Sequence, residues 1–589
     1  MTRNLIALQN RFLGQGETVY DRLAQIAHEH GAVSDEAIDA LAKEVNLPPS
    51  LVRSVAKFYD DLRSTEPSAK RLNLCNGEAC FAAGSEPCKN KLSAACNDSV
   101  SVGDVTCLGY CGDGPVALLE SSGQSDVFSL RDVDLLQLAE SVSAGKAHGL
   151  SEPNNKLYPA SGTANLLLRR MTEGDVTSLA SAKSAGIYAA FESALKADPE
   201  AVLHEIEASK LRGRGGAGFP AGRKLRTVAT APDKGGKRYV VVNADEGDAG
   251  AYIDKELLEQ DPHTVIEGTL LAAFAVGSSE GFLYLRAEYP RAQRVVARAL
   301  EEARQAGLLG DDILGSGFSF ELHLVLGHGA YICGEETSLL RSLEGVPAQV
   351  SPKPPYPAIE GYKGQPTAVH NVESLACYPV IMAMGGAAYA ELGFEGSRGT
   401  KLVSLNAAVK RPGLYEVEMG ISLRRIIFDL AGGMAEGLTF KAVQVGGPLG
   451  GILTEDQLDL PLDFESFSKA GALLGHAGIV VFDDSVDMIQ VGRGLMKFCA
   501  VESCGKCFPC RIGSLRGTEI FDKILDGRGQ QADLDLLAEL NETMRLGSLC
   551  ALGGAIPLPM DNLLRGFIPE FQRYIADAKT PEILDGDEP

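Results

Sequence analysis

The chain has 589 residues, far more than one hydrophobic core can serve, so we expect three to five domains. With 45% hydrophobic and 23% charged residues, its composition is that of a globular protein and excludes a mainly disordered one. The formal net charge of −23 disfavours nucleic acid and anionic lipid as partners, because both attract basic surfaces.

The N-terminus carries no visible secretory signal, since it lacks an apolar stretch before a small-residue cleavage site. The longest uncharged run, 374–390, contains Pro379 and falls short of the roughly 20 apolar residues that a membrane span needs. We predict a buried helix there. The chain is therefore expected to be cytoplasmic, with no membrane span.

The first elements are predicted helices over 22–31 and 34–45 and a third from Ser50, behind the stop at Pro48 and Pro49. From Arg71 the pattern changes to short segments with turns, including a strand over 100–105. The stretch 143–160 is rich in Ser, Gly, Pro and Asn and is predicted to be a linker.

Within this second region lies the first of two cysteine groups. Its spacing is C-x4-C followed by C-x3-C, and its members are Cys75, Cys80, Cys107 and Cys111. Cytoplasmic thiols stay reduced, so a metal site is a better interpretation than disulfides, and zinc is an alternative to iron–sulfur. Cys88 and Cys96 lie between the two pairs and are not expected to be ligands.

A glycine-rich loop at 213–218 matches G-x-G-x-x-G, but a predicted helix over 199–211 precedes it where a Rossmann fold requires a strand. Four glycines in six residues let backbone amides form an anion-binding nest. Arg214, Arg223 and Lys224 add positive charge. A tight structural turn is the alternative for this segment alone.

Helix signals cover 181–210, and a predicted strand over 238–242 runs into the polar loop 243–248. The segment 331–337 follows another apolar run, 322–326. This α/β pattern continues to about Glu395. A small β-rich region with one helix near 423–431 comes next, and helices are predicted from Val491 onward.

The second cysteine group has three cysteines at i, i+3 and i+6 and a distant fourth: Cys504, Cys507, Cys510 and Cys550. Such spacing is typical of a [4Fe–4S] cluster, because three ligands wrap one side of the cubane and the fourth closes it. A four-cysteine structural zinc site is the alternative. Cys499 is predicted to be a packed thiol.

The segments GRGGAGFPAGRK, NADEGDAG and AYICGEETSLLRSLEG, with the spacing C-x2-C-x2-C-x39-C, closely resemble the NADH-binding flavoprotein subunit of respiratory complex I over residues 165–575. The first cysteine group and the helices before it resemble the thioredoxin-like [2Fe–2S] subunit of complex I. The fusion of the two resembles the diaphorase large subunit of NAD-reducing [NiFe] hydrogenases.

The resemblance implies FMN, NAD(H), one [4Fe–4S] and one [2Fe–2S] cluster, with hydride transfer between NAD(H) and FMN and single-electron transfer to the clusters. It implies a hetero-oligomeric complex with a small ferredoxin-like diaphorase subunit and a [NiFe] hydrogenase module, catalysing H2 + NAD+ = NADH + H+. Complex I and NAD-linked formate dehydrogenase are the alternatives. A non-enzymatic electron relay is a further alternative.

The resemblance also implies site residues. Gly213, Gly215 and Lys224 match the phosphate and ribityl side of FMN, and Phe219, Lys353 and Tyr356 match the dinucleotide site. Glu335 and Glu336 border the NADH pocket, and Glu336, then Asp248, is the candidate carboxylate near the ribose. The remaining cofactor-binding candidates are Arg214, Asn243, Asp245, Glu246, Tyr331, Gly334, Val369, His370 and Asn371.

Three positions depart from the family pattern: His370 stands where Asn is expected, Tyr356 where Phe is expected, and Leu225 where Trp is common. No side chain is expected to act as an acid–base catalyst, because the flavin carries the chemistry. The nine histidines are expected to be structural.

The predicted fold class is multidomain α/β. We expect an N-terminal helical bundle (1–66), a thioredoxin-like [2Fe–2S] domain (67–148) and a non-Rossmann α/β domain that binds FMN and NADH (165–395). A small β-grasp-like domain of ubiquitin-like, SLBB type (396–480) and a C-terminal helical [4Fe–4S] domain (481–589) follow.

Overall fold

The computed structural model describes residues 18–30, 33–59, 62, 70–121, 124–144, 151–159, 164–232 and 235–583. Part of the predicted linker and the last residues of the polar C-terminal tail lie outside these ranges.

Three helices open the described chain: Val19–His30, Asp35–Glu44 and Pro49–Phe58. The Ser34 side chain caps the second helix by accepting a hydrogen bond from the Ala37 amide, and Pro49 begins the third. Their apolar faces form one buried cluster with Tyr239 and Phe282, which belong to the parallel sheet described below. The helices therefore pack on that sheet.

A four-stranded sheet follows, in the order β2-β1-β3-β4, with β1 and β2 parallel and the other pairs antiparallel. Its strands are β1 (Lys70–Cys75), β2 (Val100–Val105), β3 (Val116–Ser121) and β4 (Gln124–Ser129). Its helices are Glu78–Ala82, Ser85–Ala95 and Leu135–Ser143. Because β1 and β2 are parallel, their carboxyl ends meet at one edge, and both cysteine pairs follow there.

The predicted linker contains a short strand, β5 (Leu157–Tyr158), so the interpretation of 143–160 as linker needs a correction. β5 pairs in parallel with Leu414 and Tyr415, and the Tyr158 and Tyr415 rings stack with centroids 4.9 Å apart. Local composition could not reveal this pairing, since its partner lies far along the chain.

The parallel sheet has the order β8-β7-β6-β9. Its strands are β6 (Tyr239–Ala244), β7 (Glu280–Leu285), β8 (Glu321–Leu326) and β9 (Thr367–Asn371). Most of β6 is buried, as in a sheet with both faces covered. Polar residues follow the strands at their carboxyl ends, where the site described below lies.

Helices surround the parallel sheet. They are Leu168–Glu173, Leu179–Ser184, Ala189–Ala194, Pro199–Ala208, Ala221–Ala229, Ile253–Gln260, Pro262–Val276, Pro290–Gln305, Glu336–Leu343, Pro357–Glu360, Val372–Met384 and Gly386–Ala390. The helix predicted within 374–390 is buried and contains Pro379. The helical signal over 181–210 resolves into three helices. Gly186 and Tyr188 adopt left-handed φ angles at the first break, and Pro199, capped by Asp198, begins the third helix.

A small hairpin, β10 (Gly393–Phe394) and β11 (Ser397–Arg398), leads into a six-stranded mixed sheet with the order β15-β14-β16-β12-β13-β5. Its other strands are β12 (Thr400–Leu405), β13 (Gly413–Glu418), β14 (Phe440–Val445), β15 (Gly451–Leu453) and β16 (Gly478–Asp483). The predicted boundary at 480 falls inside β16, whose pairing with β14 continues to Asp483. The helix predicted near 423–431 is present as a π-helical segment, Arg425–Leu430.

Helices form the C-terminal part: Phe464–Lys469 precedes β16, and Met488–Glu502, Phe508–Leu525, Gln531–Gly547, Ala551–Ala555, Pro557–Gly566 and Ile568–Phe571 follow it. Cys504 and Cys507 lie in the loop between the first two helices after β16, Cys510 lies in the first turn of Phe508–Leu525, and Cys550 precedes Ala551–Ala555. Among the described residues, none of the helices combines the length and apolar character that crossing a membrane requires.

Candidate functional site

The glycine loop connects Pro199–Ala208 to Ala221–Ala229, so a helix precedes it, as the sequence predicts. The Gly213 amide donates to the Phe219 carbonyl at 2.9 Å and closes the loop. Gly216 and Gly218 have φ angles of 113° and 61°, which side-chain-bearing residues rarely adopt. At Gly215 a Cβ would lie 3.0 Å from the Asn371 Cβ, so the loop approaches the end of β9 closely.

Two lysines and two glutamates form a charged network beside the loop. Lys224 Nζ lies 3.3 Å from Glu336 Oε2 and donates to the Val369 carbonyl at 3.0 Å. Lys353 Nζ lies 2.8 Å from Glu335 and 2.9 Å from Glu336. Burial opposes ionisation of Glu336, but the two lysines outweigh it and lower the pKa of this carboxyl. The network holds fixed charge of both signs where a charged ligand can bind.

Glu335 has a second role, because its carboxylate caps the helix Glu336–Leu343. It accepts hydrogen bonds from the amides of Thr337 at 2.9 Å and Ser338 at 3.0 Å. Phe219 and Tyr356 both expose their rings. Exposed flat rings near a charged network suit a ligand with flat rings and phosphates.

The polar loop after β6 packs against the segment that precedes Glu336–Leu343. Asn243 Nδ2 donates to the Gly334 carbonyl at 2.9 Å, and a Cβ at Gly334 would lie 3.3 Å from the Asp245 carbonyl oxygen. Tyr331 donates its hydroxyl to Asp248 at 2.6 Å. Asp245 Oδ2 is buried with no hydrogen-bond partner among the described residues, and burial raises the pKa of this carboxyl well above its ordinary value.

A buried polar cluster joins this loop to β9. The Glu246 carboxylate accepts from the amides of Ile253 and Asp254 at 2.7 and 2.9 Å, at the start of the helix Ile253–Gln260. Asn371 Nδ2 donates to Asp254 at 2.6 Å and lies 3.4 Å from His476 Nε2. His476 also lies 3.3 Å from Asp254 and 3.8 Å from Glu246.

The charged groups in this cluster shift one another's pKa values. Burial and the neighbouring Asp254 raise the pKa of Glu246 to about 7. Burial opposes protonation of His476, but Asp254 and Glu246 outweigh it and raise the pKa of this histidine to about 9. His476 and Asp254 were not predicted from the sequence, because neither stands in a motif and the two are far apart along the chain.

Two of the predicted cofactor-binding residues, Arg214 and His370, are buried. The Arg214 guanidinium is buried and donates to the Arg398 carbonyl at 2.7 Å, beside Tyr389, so its charge turns into the interior. This corrects the expectation that it adds positive charge to the loop. His370 is buried with Nδ1 3.2 Å from the Tyr378 hydroxyl, and burial lowers its pKa well below the ordinary value.

The first cysteine group forms two neighbouring pairs. Cys107 Sγ lies 3.9 Å from Cys111 Sγ. The thiol of Cys80 and several backbone amides lower the pKa of Cys75 to about 7. Two close thiol pairs are the donor set that a [2Fe–2S] cluster requires, two sulfurs to each iron. Cys88 and Cys96 instead contact a separate apolar cluster that includes Leu92.

The second cysteine group surrounds the loop between Met488–Glu502 and Phe508–Leu525. Cys507 Sγ accepts from the Leu549 amide at 3.3 Å, next to Cys550. Cys510 Sγ lies 3.3 Å from the Ser503 hydroxyl, and a Cβ at Gly553 would lie 2.6 Å from the Cys510 Cβ. Cys499 is buried behind Cys510, with Sγ 3.3 Å from the Leu552 carbonyl oxygen. Cys499 is thus a packed thiol beside the group.

Comparisons with known proteins agree with this geometry. The model of the Nuo51 FMN-binding domain matches residues 206–379, and that of the NADH-ubiquinone oxidoreductase-F iron-sulfur binding region matches 490–574. The model of the thioredoxin-like [2Fe-2S] ferredoxin matches 7–136.

Relatives extend these matches. The F 2 subunit of NADH-quinone oxidoreductase in Rhizobium meliloti is 41% identical over 71% of this chain and 99% of its own length. The chain belongs to the family of these NADH-quinone oxidoreductase subunits and their hydrogenase relatives. In that family, NADP-reducing hydrogenase subunit HndC of Solidesulfovibrio fructosivorans is 43% identical over 67% of this chain and 80% of its own.

A solved structure of NAD+-reducing [NiFe]-hydrogenase in the H2-reduced state matches with a TM-score of 0.80 and 30% identity, covering 95% of this chain and 93% of that one. The predicted multidomain fold with a thioredoxin-like [2Fe–2S] domain is confirmed. As a member of this family, the chain is an oxidoreductase and an NAD(H)-linked electron-transfer module. Its cofactors are FMN, a [4Fe–4S] and a [2Fe–2S] cluster, as predicted.

Proposed function

We propose that this chain is the diaphorase subunit of an NAD-reducing hydrogenase, which exchanges electrons with a hydrogenase module in the reaction H2 + NAD+ = NADH + H+. One observation carries the proposal: the match to the NAD+-reducing [NiFe]-hydrogenase chain covers 95% of this chain and so extends through its N-terminal part. The two relatives named above match only 67% and 71% of it.

We further propose the cofactor-binding residues. The glycine loop (Gly213, Gly215) and Lys224 hold the FMN phosphate side, and the polar groups after β6 and β9 surround the rest of FMN. The unpartnered Asp245 oxygen and the glycine cradle at Gly215 and Gly334 fit such a ligand. The groups after β6 and β9, with their neighbours, are Asn243, Asp245, Glu246, Tyr331, Val369, His370 and Asn371.

For the dinucleotide we propose Phe219 and Tyr356 as stacking surfaces and Lys353, Glu335, Glu336 and Asp248 as polar contacts. FMN, when bound, supplies the conversion between a hydride and single electrons. The chain's own residues bind and orient: the rings exclude water from the pocket mouth, and the lysines neutralise phosphate charge. The cysteine ligands are proposed to be the four of each group.

We propose the domains predicted from the sequence, 1–66, 67–148, 165–395 and 396–480, with the last boundary moved beyond Asp483 to the end of β16. The remaining residues form the proposed [4Fe–4S] domain. We also propose that the protein works in the cytoplasm within a hetero-oligomeric complex. Its partners would be a small ferredoxin-like subunit and a [NiFe] hydrogenase module.

A second candidate is the NADH dehydrogenase flavoprotein subunit of a quinone-reducing complex. Its support is the 99% coverage of the Rhizobium meliloti NADH-quinone oxidoreductase relative at 41% identity. NAD-linked formate dehydrogenase remains a third sequence-based interpretation without an observation of its own.

The test is anaerobic purification of the chain with the proteins that bind it. We expect a flavin and iron–sulfur absorbance that NADH bleaches, and H2-dependent reduction of NAD+ by the complex. NADH-dependent quinone reduction without any H2 reaction would replace the hydrogenase proposal with the second candidate. A colourless preparation that NADH does not change would contradict both.

A further inference from the structure

Arg286 is a buried cation that joins the two redox regions of the chain. It follows β7 at the carboxyl edge of the parallel sheet, yet its guanidinium reaches the loop that carries Cys107. Nη1 donates to the Cys107 carbonyl at 3.0 Å and Nη2 donates to the Thr106 carbonyl at 3.1 Å. Nη1 also donates to the Glu246 carbonyl at 2.6 Å.

These contacts fix the direction of two peptide units. In a trans peptide the C=O and the following N–H point in opposite directions. Arg286 holds the carbonyls of Thr106 and Cys107, so the amides of the same two peptide units, on Cys107 and Leu108, point to the opposite side. The Cys107 amide nitrogen lies 3.7 Å from the position of a Cβ at Gly77, two residues after Cys75. The guanidinium therefore fixes the direction of two N–H donors in the cysteine loop.

Two further groups, one beside the parallel sheet and one just before β5, hold the same loop. Lys255 Nζ lies 3.7 Å from the centre of the Tyr110 ring, and Asn155 Nδ2 donates to the Gly109 carbonyl at 2.7 Å. Cys107 itself has a left-handed φ of 51°, a conformation that needs support from its surroundings. The loop is thus held from outside the sheet to which it belongs.

A buried guanidinium beside the ligand loop raises the reduction potential of an iron–sulfur cluster held there. Hydrogen bonds to the sulfurs and nearby positive charge favour the more negative, reduced state of an iron–sulfur cluster. A buried charge is screened little by salt. Glu288, 3.2 Å from Arg286, offsets part of the charge but none of the peptide orientation.

We propose that Arg286 is a positioning residue for the loop that carries Cys107 and Cys111 of the [2Fe–2S] ligand set. By contacting both this loop and the Glu246 carbonyl, Arg286 raises the reduction potential of the cluster. The proposal rests on the ligand assignment made under Proposed function, in which Cys75, Cys80, Cys107 and Cys111 hold the cluster. Its consequence is that a residue of the NADH-binding region sets how readily the [2Fe–2S] cluster is reduced.

The experiment is a redox titration of the complete protein followed by electron paramagnetic resonance, for Arg286→Gln and Arg286→Lys. In the Gln variant we expect the equilibrium constant for one-electron reduction of the [2Fe–2S] cluster to fall at least tenfold, a drop in potential of about 59 mV. The potential of the Lys variant should fall less, because lysine keeps the charge but cannot bridge three carbonyls. FMN content and the [4Fe–4S] potential should match the wild type.

Arg304→Gln is the matched control, since the Arg304 guanidinium contacts Glu321 and the Leu322 carbonyl in the same region, and neither belongs to the cysteine loop. Loss of only the [2Fe–2S] signal in Arg286→Gln would support the positioning role. An unchanged [2Fe–2S] potential, or equal shifts of both clusters, would overturn it. If the Gln variant does not fold, the Lys variant decides by the same two criteria. An altered ligand set would instead be detected by Cys80→Ala, which tests the assignment itself.

Discussion

Glu336 is the residue at which nucleotide preference can be tested most directly. The sequence suggests a carboxylate that repels the 2′-phosphate of NADPH, and the structure adds that Lys224 and Lys353 both pair with it. Removing the carboxylate therefore removes a repulsion and also frees Lys224 for a phosphate, while Lys353 keeps its ion pair with Glu335. The relative in Solidesulfovibrio fructosivorans is named as an NADP-reducing subunit, so the preference is not a property of the whole family.

For Glu336→Gln we expect the NADPH/NADH ratio of kcat/KM to rise by about 10-fold, on the order of 1.4 kcal/mol. A like-charge contact at about 4–8 Å in a partly desolvated site has that magnitude or somewhat more before screening. Steady-state kinetics with both nucleotides measure it. Glu344→Gln, just beyond the other end of the same helix, should leave the ratio unchanged. Equal loss with both nucleotides would mean that Glu336 only orders the loop.

Cysteine spacing alone leaves two further cysteines between the predicted ligand pairs of the first group as possible ligands. Cys88 and Cys96 contact the apolar cluster around Leu92, whereas Cys80 lies beside Cys75. We expect the double variant Cys88→Ala/Cys96→Ala to keep the [2Fe–2S] resonance signal and Cys80→Ala to lose it. A double variant without the signal would show that the ligand set is wrong.

At this scale the sequence predicted what depends on local spacing. Seven of the eight candidate ligands and the glycine loop were visible because their residues form short motifs. Cys550, forty residues after Cys510, was visible through the spacing of the whole cysteine group. The inward turn of Arg214 and the approach of His476 to Asp254 were not, because both depend on contacts between distant segments.

Among the elements, the loop that carries His476 joins the six-stranded sheet to the candidate flavin site. Gly475 forms an isolated bridge with Gly216 of the glycine loop, and His476 enters the cluster of Glu246 and Asp254. The folded-state pKa of His476, about 9, exceeds the ordinary 6.5, so its positive charge stabilises the fold fully below pH 6.5. Asp254 provides most of this stabilisation there, because the pKa of Glu246 is about 7 and its carboxyl is mostly protonated. That contribution is lost as the pH rises through 9.

We therefore expect His476→Gln to lower the melting temperature strongly at pH 6 and only slightly at pH 10. The full effect is on the order of 3 kcal/mol, from a pKa difference of roughly 2.5 units at about 1.36 kcal/mol each. Lys401, Glu246 and Asp254 surround the ring in both proteins, so the difference between the proteins isolates His476. Thermal denaturation across pH measures it, with the exposed His204→Gln as control. A difference in melting temperature between the two proteins that does not change with pH would contradict the charged state of His476.

Some secondary-structure elements could be predicted from sequence patterns and others could not. The strand 100–105 and the helices near the N-terminus were predictable, because periodicity and caps are local. β5 and the extension of β16 beyond residue 480 were not predictable from the sequence. Both depend on pairing between strands that lie far apart along the chain, which local composition does not reveal.

At the scale of the whole molecule, one continuous core unites the redox regions. It contains Cys107 and Cys111, one buried face of β6 (Val240, Val242 and Ala244), and Cys499 and Cys510 of the C-terminal helices. Motifs predicted each region, but their packing against one another could not be read from the sequence. The shared core keeps the two cysteine groups in fixed positions relative to the glycine loop.

Exposed apolar side chains flank the second cysteine group along the chain. Val501, Phe508, Leu546 and Leu549 are 64%, 67%, 77% and 51% exposed. Single exposed apolar residues are common on protein surfaces, but four beside one candidate cluster indicate an interaction site. Because the [4Fe–4S] cluster must deliver or receive electrons, we assign this surface to the partner subunit of the complex.

We expect the double variant Val501→Ser/Leu546→Ser to reduce co-purification of the partner and H2-dependent NAD+ reduction at least tenfold. Both positions lie outside the proposed ligand set, so NADH-dependent reduction of ferricyanide should stay at the wild-type rate. Leu136→Ser is the matched control, since Leu136 is 64% exposed on a helix of the first sheet's region. Both variants keeping the partner would place the docking surface elsewhere. Loss of the ferricyanide reaction in the double variant would instead mean that these side chains support the cluster itself.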